Sequence, residues 1–176
     1  MNTHSDLNEY LKKGFLKNEL ELERALILDR SLKLLSKDSP KFAEQRKQLR
    51  EIIKQYESKK WSKESVISDD QLKESDLAEI TAEVEIVFLL KRKSVIKSKL
   101  AFHQLNQQDL GFILGHSKSY ISELMGGLSP FSMKDIVIIH KLFDIPFEQL
   151  IPSIIQPIDQ QKIKISLLKL NKSIAL

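Results

Sequence analysis

The residues best suited to chemistry lie in two short polar runs on either side of Gly115. Leu110, Ile113 and Leu114 recur at helical spacing before this glycine, which can adopt the left-handed conformation that ends a helix. Ser117 follows the glycine and can cap a second helix, because serine is a preferred N-cap residue. The spacing therefore predicts two short helices joined by a tight turn.

The second of these helices has a polar outer face. Its apolar residues Ile121 and Leu124 would point inward, and Gly126 and Gly127 would end it. The side chains left outside are Lys118, Ser119, Tyr120, Ser122 and Glu123. Because side chains of these types donate and accept hydrogen bonds, this face is the candidate binding surface of the chain.

The other residues that could do chemistry are scattered. The four histidines do not fall at metal-ligand spacing, and we interpret the Asp69 and Asp70 pair, in a serine-rich stretch, as solvated surface. The chain has no cysteine, which excludes disulfides, thiol nucleophiles and most structural zinc sites. No Gly-rich phosphate loop or nucleophile elbow can be assembled. We therefore predict a protein that is not an enzyme and that holds no cofactor or metal.

The segment from Val95 to Pro152 resembles the Xre-type, lambda-repressor-like helix-turn-helix domain. The resemblance rests on the spacing of Gln107, Gly115, Ser117, Ile121 and Leu124, followed by Ser132 and the closing stretch from Phe143 to Leu150. It implies that the helix from Ser117 to Met125 enters the major groove, while the helix beginning near Gln107 sits against the phosphate backbone.

The same resemblance implies a set of DNA-binding residues. Gln107 and the amides at its helix start would hold a phosphate. Lys118 could bind guanine through a charged bidentate contact, which contributes about 1–3 kcal/mol of discrimination. The complete set would be Gln107, Ser117, Lys118, Ser119, Tyr120, Ser122 and Glu123.

The formal net charge of +4 comes entirely from the second half of the chain. Residues 1–80 carry 16 basic and 16 acidic residues, whereas residues 81–176 carry 12 basic and 8 acidic ones. One basic cluster, which could contact phosphates, consists of Lys91, Arg92, Lys93, Lys97 and Lys99, and a second consists of Lys162, Lys164, Lys169 and Lys172. A solvated helix face is the commoner explanation for such clusters.

Residues 104–151, which contain the candidate surface, carry three lysines and five acidic residues, a net charge of −2. Because phosphate attraction dominates DNA affinity, this balance leaves two alternatives open. Either the basic clusters and a second copy of the chain in a homodimer supply the attraction, or the segment is a protein-interaction module without specific DNA binding.

The first third of the chain predicts a helical hairpin. Leucines recur at helical spacing from Leu20 to Leu35, the run Asp38-Ser39-Pro40 separates two helices, and a second amphipathic stripe follows from Phe42 to Tyr56. We expect a linker from Trp61 to Glu74 and a new helix opening at Ser75 or Asp76. Residues 83–90 fit either helix or buried strand, and we favour helix.

These elements, with only five glycines and five prolines in 176 residues, predict an all-α protein. The expected organisation is an N-terminal helical region with a linker over residues 1–74, a connecting helix over 75–94, the helix-turn-helix domain over 95–152 and an amphipathic tail over 153–176. The polar start and the absence of a long apolar run favour a cytoplasmic protein with no membrane contact.

A helical hairpin followed by this kind of domain also resembles the HigA-type antitoxins of bacterial toxin–antitoxin pairs. The resembling residues run from Ala25 through Pro40 to Glu57. This resemblance implies a ribonuclease toxin as partner, repression of the protein's own operon and double-stranded operator DNA with paired half-sites.

Overall fold

The protein is helical throughout the part of the chain that the structure describes. The computed structural model describes residues 6–37, 39–61, 68–153, 155, 157–172 and 174. Within these ranges there are nine α-helices and no β-strand, so the predicted all-α class is confirmed. The helices are α1 Leu7–Lys13, α2 Glu19–Leu35, α3 Pro40–Trp61, α4 Asp69–Phe102, α5 Gln107–Leu114, α6 Lys118–Gly126, α7 Met133–Phe143, α8 Phe147–Leu150 and α9 Pro157–Lys169.

Helices α2 and α3 form the predicted antiparallel hairpin. Near one end Asp29 of α2 pairs with Arg46 of α3 at 3.0 Å, and near the other end the Tyr56 hydroxyl donates to Glu19 at 3.0 Å. Residue numbers therefore rise along α3 as they fall along α2. Helix α3 begins at Pro40, a residue tolerated in the first turn of a helix. Asp38 of the predicted helix stop lies outside the described residues.

The apolar faces of the hairpin form the first of two cores. Its members from α2 and α3 are Leu22, Ala25, Leu28, Leu32, Phe42, Leu49, Ile52 and Ile53. Helix α1, for which the sequence carried no prediction, covers this core with Leu7 and Tyr10. Leu128 joins it from the other half of the chain, and the Leu7 amide donates to the Leu128 carbonyl at 2.9 Å. The hairpin is therefore packed onto the segment that follows α6.

Helix α4 corrects the predicted linker. The helix begins at Asp69 rather than at Ser75 or Asp76, and Ser68 caps it in a reciprocal box with Gln71. It then runs to Phe102, so residues 83–90 are helical as favoured and the boundary expected at residues 94 and 95 falls inside one helix. Residues 69–74 fall within the predicted linker because Leu72 is the single apolar residue among them, and all six are exposed in the structure.

The second core joins the end of α4 to the helices that follow. Ile96 and Leu100 of α4 pack against residues of α5 to α8, which are Leu110, Leu114, Ile121, Leu124, Met125, Ile136, Ile139, Phe143 and Leu150. The predicted amphipathic tail contains α9, where Ile163 and Leu167 are half-buried and Leu168 and Leu170 are exposed. None of the described helices combines the length and the low charge needed to cross a bilayer.

Candidate nucleic-acid interface

Local hydrogen bonds fix the segment from α5 to α6 at the predicted helix end, Gly115, and at the predicted helix cap, Ser117. Gly115 ends α5 in the left-handed conformation, with a φ of 75°. The His116 amide then donates to the Gly111 carbonyl at 2.7 Å, and Ser117 caps α6 by accepting from the Tyr120 amide. The chain thus turns between two helices within three residues, at the positions that the sequence predicted.

Gly111 sets how closely the two helices approach each other. A Cβ atom at this position would lie 3.2 Å from the His116 carbonyl oxygen and 3.2 Å from Cγ2 of Ile121. Only a residue without a side chain leaves this contact undisturbed. The close packing of α5 on α6 therefore depends on the glycine at position 111.

Replacing Gly111 by valine should separate α5 from α6 and lower the free energy of unfolding by about 1–3 kcal/mol, as overpacking of a core does. Urea denaturation followed by circular dichroism measures the loss. Gln108→Val introduces the same side chain at an exposed site of the same helix and is the matched control. Because valine is a better helix former than glycine, helix propensity alone would raise the stability of Gly111→Val, and a loss no larger than that in Gln108→Val would contradict the close contact.

The exposure of helix α6 changes along its length, from exposed side chains at its N-terminal end to buried ones at its C-terminal end. Lys118 and Tyr120, in its first turn, are exposed as predicted. Ile121 and Leu124 are buried in the second core, also as predicted, and Met125 joins them. The side chains available to a partner are therefore concentrated at the start of the helix.

The two remaining serines of α6 are less accessible than the sequence suggested. Ser122 is half-buried, and its hydroxyl accepts from the Gln107 side chain at 3.0 Å. This bond brings together two predicted site residues and ties α5 to α6. Ser119 is half-buried, and its hydroxyl oxygen is shielded from solvent and has no hydrogen-bond partner within the described ranges. Contact of Ser119 with a base edge would require a different side-chain rotamer.

The start of α5 differs from the phosphate site that was expected. Asn106 caps this helix, and its side-chain oxygen accepts from the amides of Gln108 and Asp109 at 2.7 and 3.2 Å. The Asp109 carboxylate in turn accepts from the Asn106 amide at 2.8 Å. Two of the amides assigned to a phosphate are therefore already bonded within the protein. The Gln107 side chain remains beside α6 through its hydrogen bond to Ser122.

A buried carboxylate, which the sequence did not predict, holds the turn before α6. Asp135 of α7 contacts Nε2 of His116 at 3.0 Å and accepts from the hydroxyl of Ser132 at 2.8 Å. The His116 ring lies edge-on to Tyr120, with 4.9 Å between ring centroids. A capping-box spacing from Ser132 to Asp135 is the sequence signal that could have found this group.

Tyr120 keeps its proton at neutral pH. Burial raises the pKa of Tyr120, and the nearby carboxylates of Asp135, Glu123 and Asp6 raise it further. The hydroxyl of this exposed side chain is therefore a hydrogen-bond donor. A phosphate oxygen or a base acceptor could take that hydrogen bond.

Glu123 is not on the exposed face, which corrects the prediction. Its side chain is buried, and its carboxylate pairs with Lys41 of α3 at 2.6 Å. The hairpin covers this end of α6: Gly126 packs so closely on Leu35 that an added Cβ would lie 3.0 Å from its Cδ1. Glu123 therefore belongs to the contact between α6 and the hairpin and is unavailable to DNA.

These contacts change the charge that a partner would meet. Of the five acidic residues within 104–151, Glu123 is neutralised by a lysine from outside the segment, and Asp135 is buried against His116. With Lys41 counted beside Glu123 the balance becomes −1, and the acidic residues that remain outside these contacts are Asp109, Asp144 and Glu148. The net charge of −2 therefore overstates the repulsion that a phosphate would meet at the surface.

The first basic cluster is spread around α4 rather than gathered on one face. Lys91 and Lys97 are exposed, whereas Lys93 and Lys99 are half-buried. Burial, and after it the charge of Lys97, lowers the pKa of Lys93. Consecutive residues of a helix point in different directions, so the cations at 91, 92 and 93 diverge.

Arg92 is buried, so it lacks the exposure that the possible phosphate contact considered for it would require. Its guanidinium lies 5.6 Å from the ring centroid of Phe88 and 5.1 Å from that of Phe131. It also donates to the Leu150 carbonyl at 3.4 Å, and burial lowers its pKa to about 10. Arg92 therefore stabilises the packing of α4 against the helices that follow.

In the described ranges, no group of three or more His, Asp or Glu side chains could hold a metal ion. Comparisons with protein-family models, curated proteins and solved structures find no match for this chain.

Proposed function

We propose that this protein is a sequence-specific DNA-binding regulator, in which α5, the turn and α6 act as a repressor-type helix-turn-helix. In such proteins the residues at the N-terminal end of the second helix contact base edges. Here that end carries the exposed Lys118 and Tyr120, while the other end is anchored by the core and by Lys41. This division of α6 is the observation that carries the proposal.

The proposed binding mode gives each side chain a separate role. Lys118 would bind the edge of a guanine in the major groove, and Tyr120 would donate to a phosphate or a base acceptor. Gln107, held beside Ser122, would lie over the phosphate backbone together with the start of α5. A homodimer would place two copies of α6 on paired half-sites and double these contacts.

We further propose that the regulator is an autorepressing antitoxin of HigA type whose hairpin binds a ribonuclease toxin. The resemblance in the order of the helical hairpin and the domain that follows it supports this, and the hairpin carries an open groove in which Asp29 pairs with Arg46 and Arg50. Charges of both signs line this groove between α2 and α3, namely Asp29, Arg46, Lys47, Arg50, Glu51, Lys54 and Glu57. A cytoplasmic location fits the same proposal.

Footprinting on the DNA upstream of the protein's own coding sequence tests the proposal. At moderate salt we expect protection of two related half-sites whose spacing is a whole number of helical turns. Equal weak binding to all sequences, with no protected site, would contradict sequence-specific regulation. The assay is run at one fixed salt concentration, because phosphate contacts weaken steeply as the salt concentration rises.

The net charge of −2 over residues 104–151 favours a second candidate, a protein-interaction module that uses the same scaffold without specific DNA binding. Purification from the native host separates the two. Recovery of one stoichiometric partner together with no retention on an operator column would favour the module. Recovery of the partner in a complex that still protects the operator would favour the antitoxin.

A further inference from the structure

Helix α4 leaves an apolar stripe uncovered along much of its length. Leu77, Ile80, Val84, Val87 and Leu90 are each between 41% and 58% exposed. The first four alternate three and four residues apart, which is the spacing of a coiled-coil seam. The helix has 34 residues and is therefore about 50 Å long. The stripe occupies its middle.

This stripe is not the face that attaches α4 to its own chain. That second face is buried and consists of Ala78, Thr81, Ala82, Arg92, Ile96 and Leu100. An ion pair adds to it, because Arg24 of α2 donates to Glu85 at 2.8 Å. A surface helix ordinarily needs only one apolar stripe to pack on its core. The exposed stripe is therefore available to a partner.

The charges on α4 select the partner and its direction. Residues 69–85 contain seven acidic residues and one lysine, whereas residues 86–102 contain four lysines, one arginine and no acidic residue. A second copy of α4 running parallel would set like charges beside each other. A second copy running antiparallel would set the acidic half of each helix beside the basic half of the other.

We propose that α4 is the homodimer interface and that two copies pair antiparallel about a two-fold axis between Glu83 and Val84. The apolar stripe from Leu77 to Leu90 is centred at this point. In that register exposed Asp76 faces Lys91, and exposed Asp70 faces Lys97. The centre of the stripe and the centres of both charge pairs coincide to within one residue.

This inference rests on the dimer in the proposed function but not on DNA binding. It also gives Lys91 and Lys97 a role other than the phosphate contacts predicted from the sequence. The two roles are separable, because an interface role affects the mass of the protein in the absence of DNA. A phosphate role affects only affinity and its salt dependence.

The absence of cysteine from the chain makes the helix direction directly measurable. Single variants Leu77→Cys, Val84→Cys and Lys91→Cys are treated with a short bifunctional maleimide. In the antiparallel pair Val84→Cys cross-links to itself, and Leu77→Cys cross-links to Lys91→Cys when the two are mixed. Each of these two outer variants alone should cross-link poorly, because its copies lie about 20 Å apart along the axis. Self-cross-linking at all three positions would mean a parallel pair and overturn the proposal.

Light scattering of the full chain without DNA tests the interface itself. We expect a dimer for the native chain and a monomer for Val84→Glu. The dissociation constant of the dimer should be at least ten times lower for the native chain than for the variant. Leu168→Glu adds the same charge to an exposed apolar site of α9 and should remain dimeric. Circular dichroism checks that both variants are folded, as expected for exposed sites.

The outcomes for the dimer and for DNA binding are distinguishable. A native monomer, or a dimer that persists in Val84→Glu, overturns the interface even if the operator is protected. A dimer that Val84→Glu dissociates supports the interface even if no DNA is protected, in which case the proposed function fails alone.

Discussion

Replacing Lys118 by alanine is expected to weaken binding to the operator about 10- to 100-fold, the equivalent of one bidentate base contact. Lys118 is the exposed cation of α6, and it lies in the first turn, where a recognition helix reads bases. Binding to a scrambled duplex should fall much less, because one phosphate contact among several is lost there. Fluorescence anisotropy with both duplexes at one salt concentration measures the two affinities.

Lys141→Ala is the matched control for this prediction. It removes the same charge from an exposed site near the end of α7, so it reports the effect of net charge alone. An equal loss of affinity for the operator and the scrambled duplex in Lys118→Ala would make Lys118 a phosphate contact. No loss for either duplex would contradict the proposed placement of α6 in the major groove.

The parts of the fold that the sequence predicted are those with local signals. Gly115 and Gly127 end α5 and α6 in left-handed conformations, with φ values of 75° and 72°, and Ser117 and Ser132 cap the helices that follow. Each of these residues determines the backbone conformation at its own position or bonds to a residue only a few positions away. Their conformational preferences are therefore sufficient to place the helix ends.

Several contacts that the sequence did not predict join residues far apart in the chain. Glu123 and Lys41 are 82 positions apart, and the bond from Arg24 to Glu85 spans 61 positions. Considered on α6 alone, Glu123 falls on the polar side of the helix and is predicted to be exposed. Only the packing of the hairpin on α6 buries it, and periodicity within one helix carries no information about that packing.

The burial of Arg92 could have been predicted. Arg92, Ile96 and Leu100 follow each other at intervals of four, so they share one face of α4. The adjacent cations at 91 and 93 make Arg92 resemble a member of a surface charge cluster, although its own spacing places it on this buried face. The start of α4 also had a signal, because Ser68 and Gln71 have the spacing of a capping box.

Replacing Asp135 by alanine is expected to lower the free energy of unfolding by about 2–4 kcal/mol, because hydrogen bonds to buried charged groups are strong and costly to leave unmade. The carboxylate is buried, accepts from the Ser132 amide at 3.1 Å and from the Ser132 hydroxyl at 2.8 Å, and contacts His116 at 3.0 Å. Urea denaturation gives the loss. Glu148→Ala, at an exposed site of α8, should change stability by less than about 0.5 kcal/mol.

Ser132→Ala separates the two roles of this carboxylate. It removes the cap of α7 and should cost about 1 kcal/mol, while leaving the contact between Asp135 and His116 in place. If Asp135 also fixes the turn, Asp135→Ala should weaken operator binding at a temperature where the variant is folded, whereas Ser132→Ala should not. The physical reason is that His116 packs edge-on against Tyr120. Loss of Asp135 would therefore release His116 and, with it, the Tyr120 side chain that in the proposed binding mode would donate to DNA. Equal operator affinities in the two variants would limit Asp135 to a role in stability.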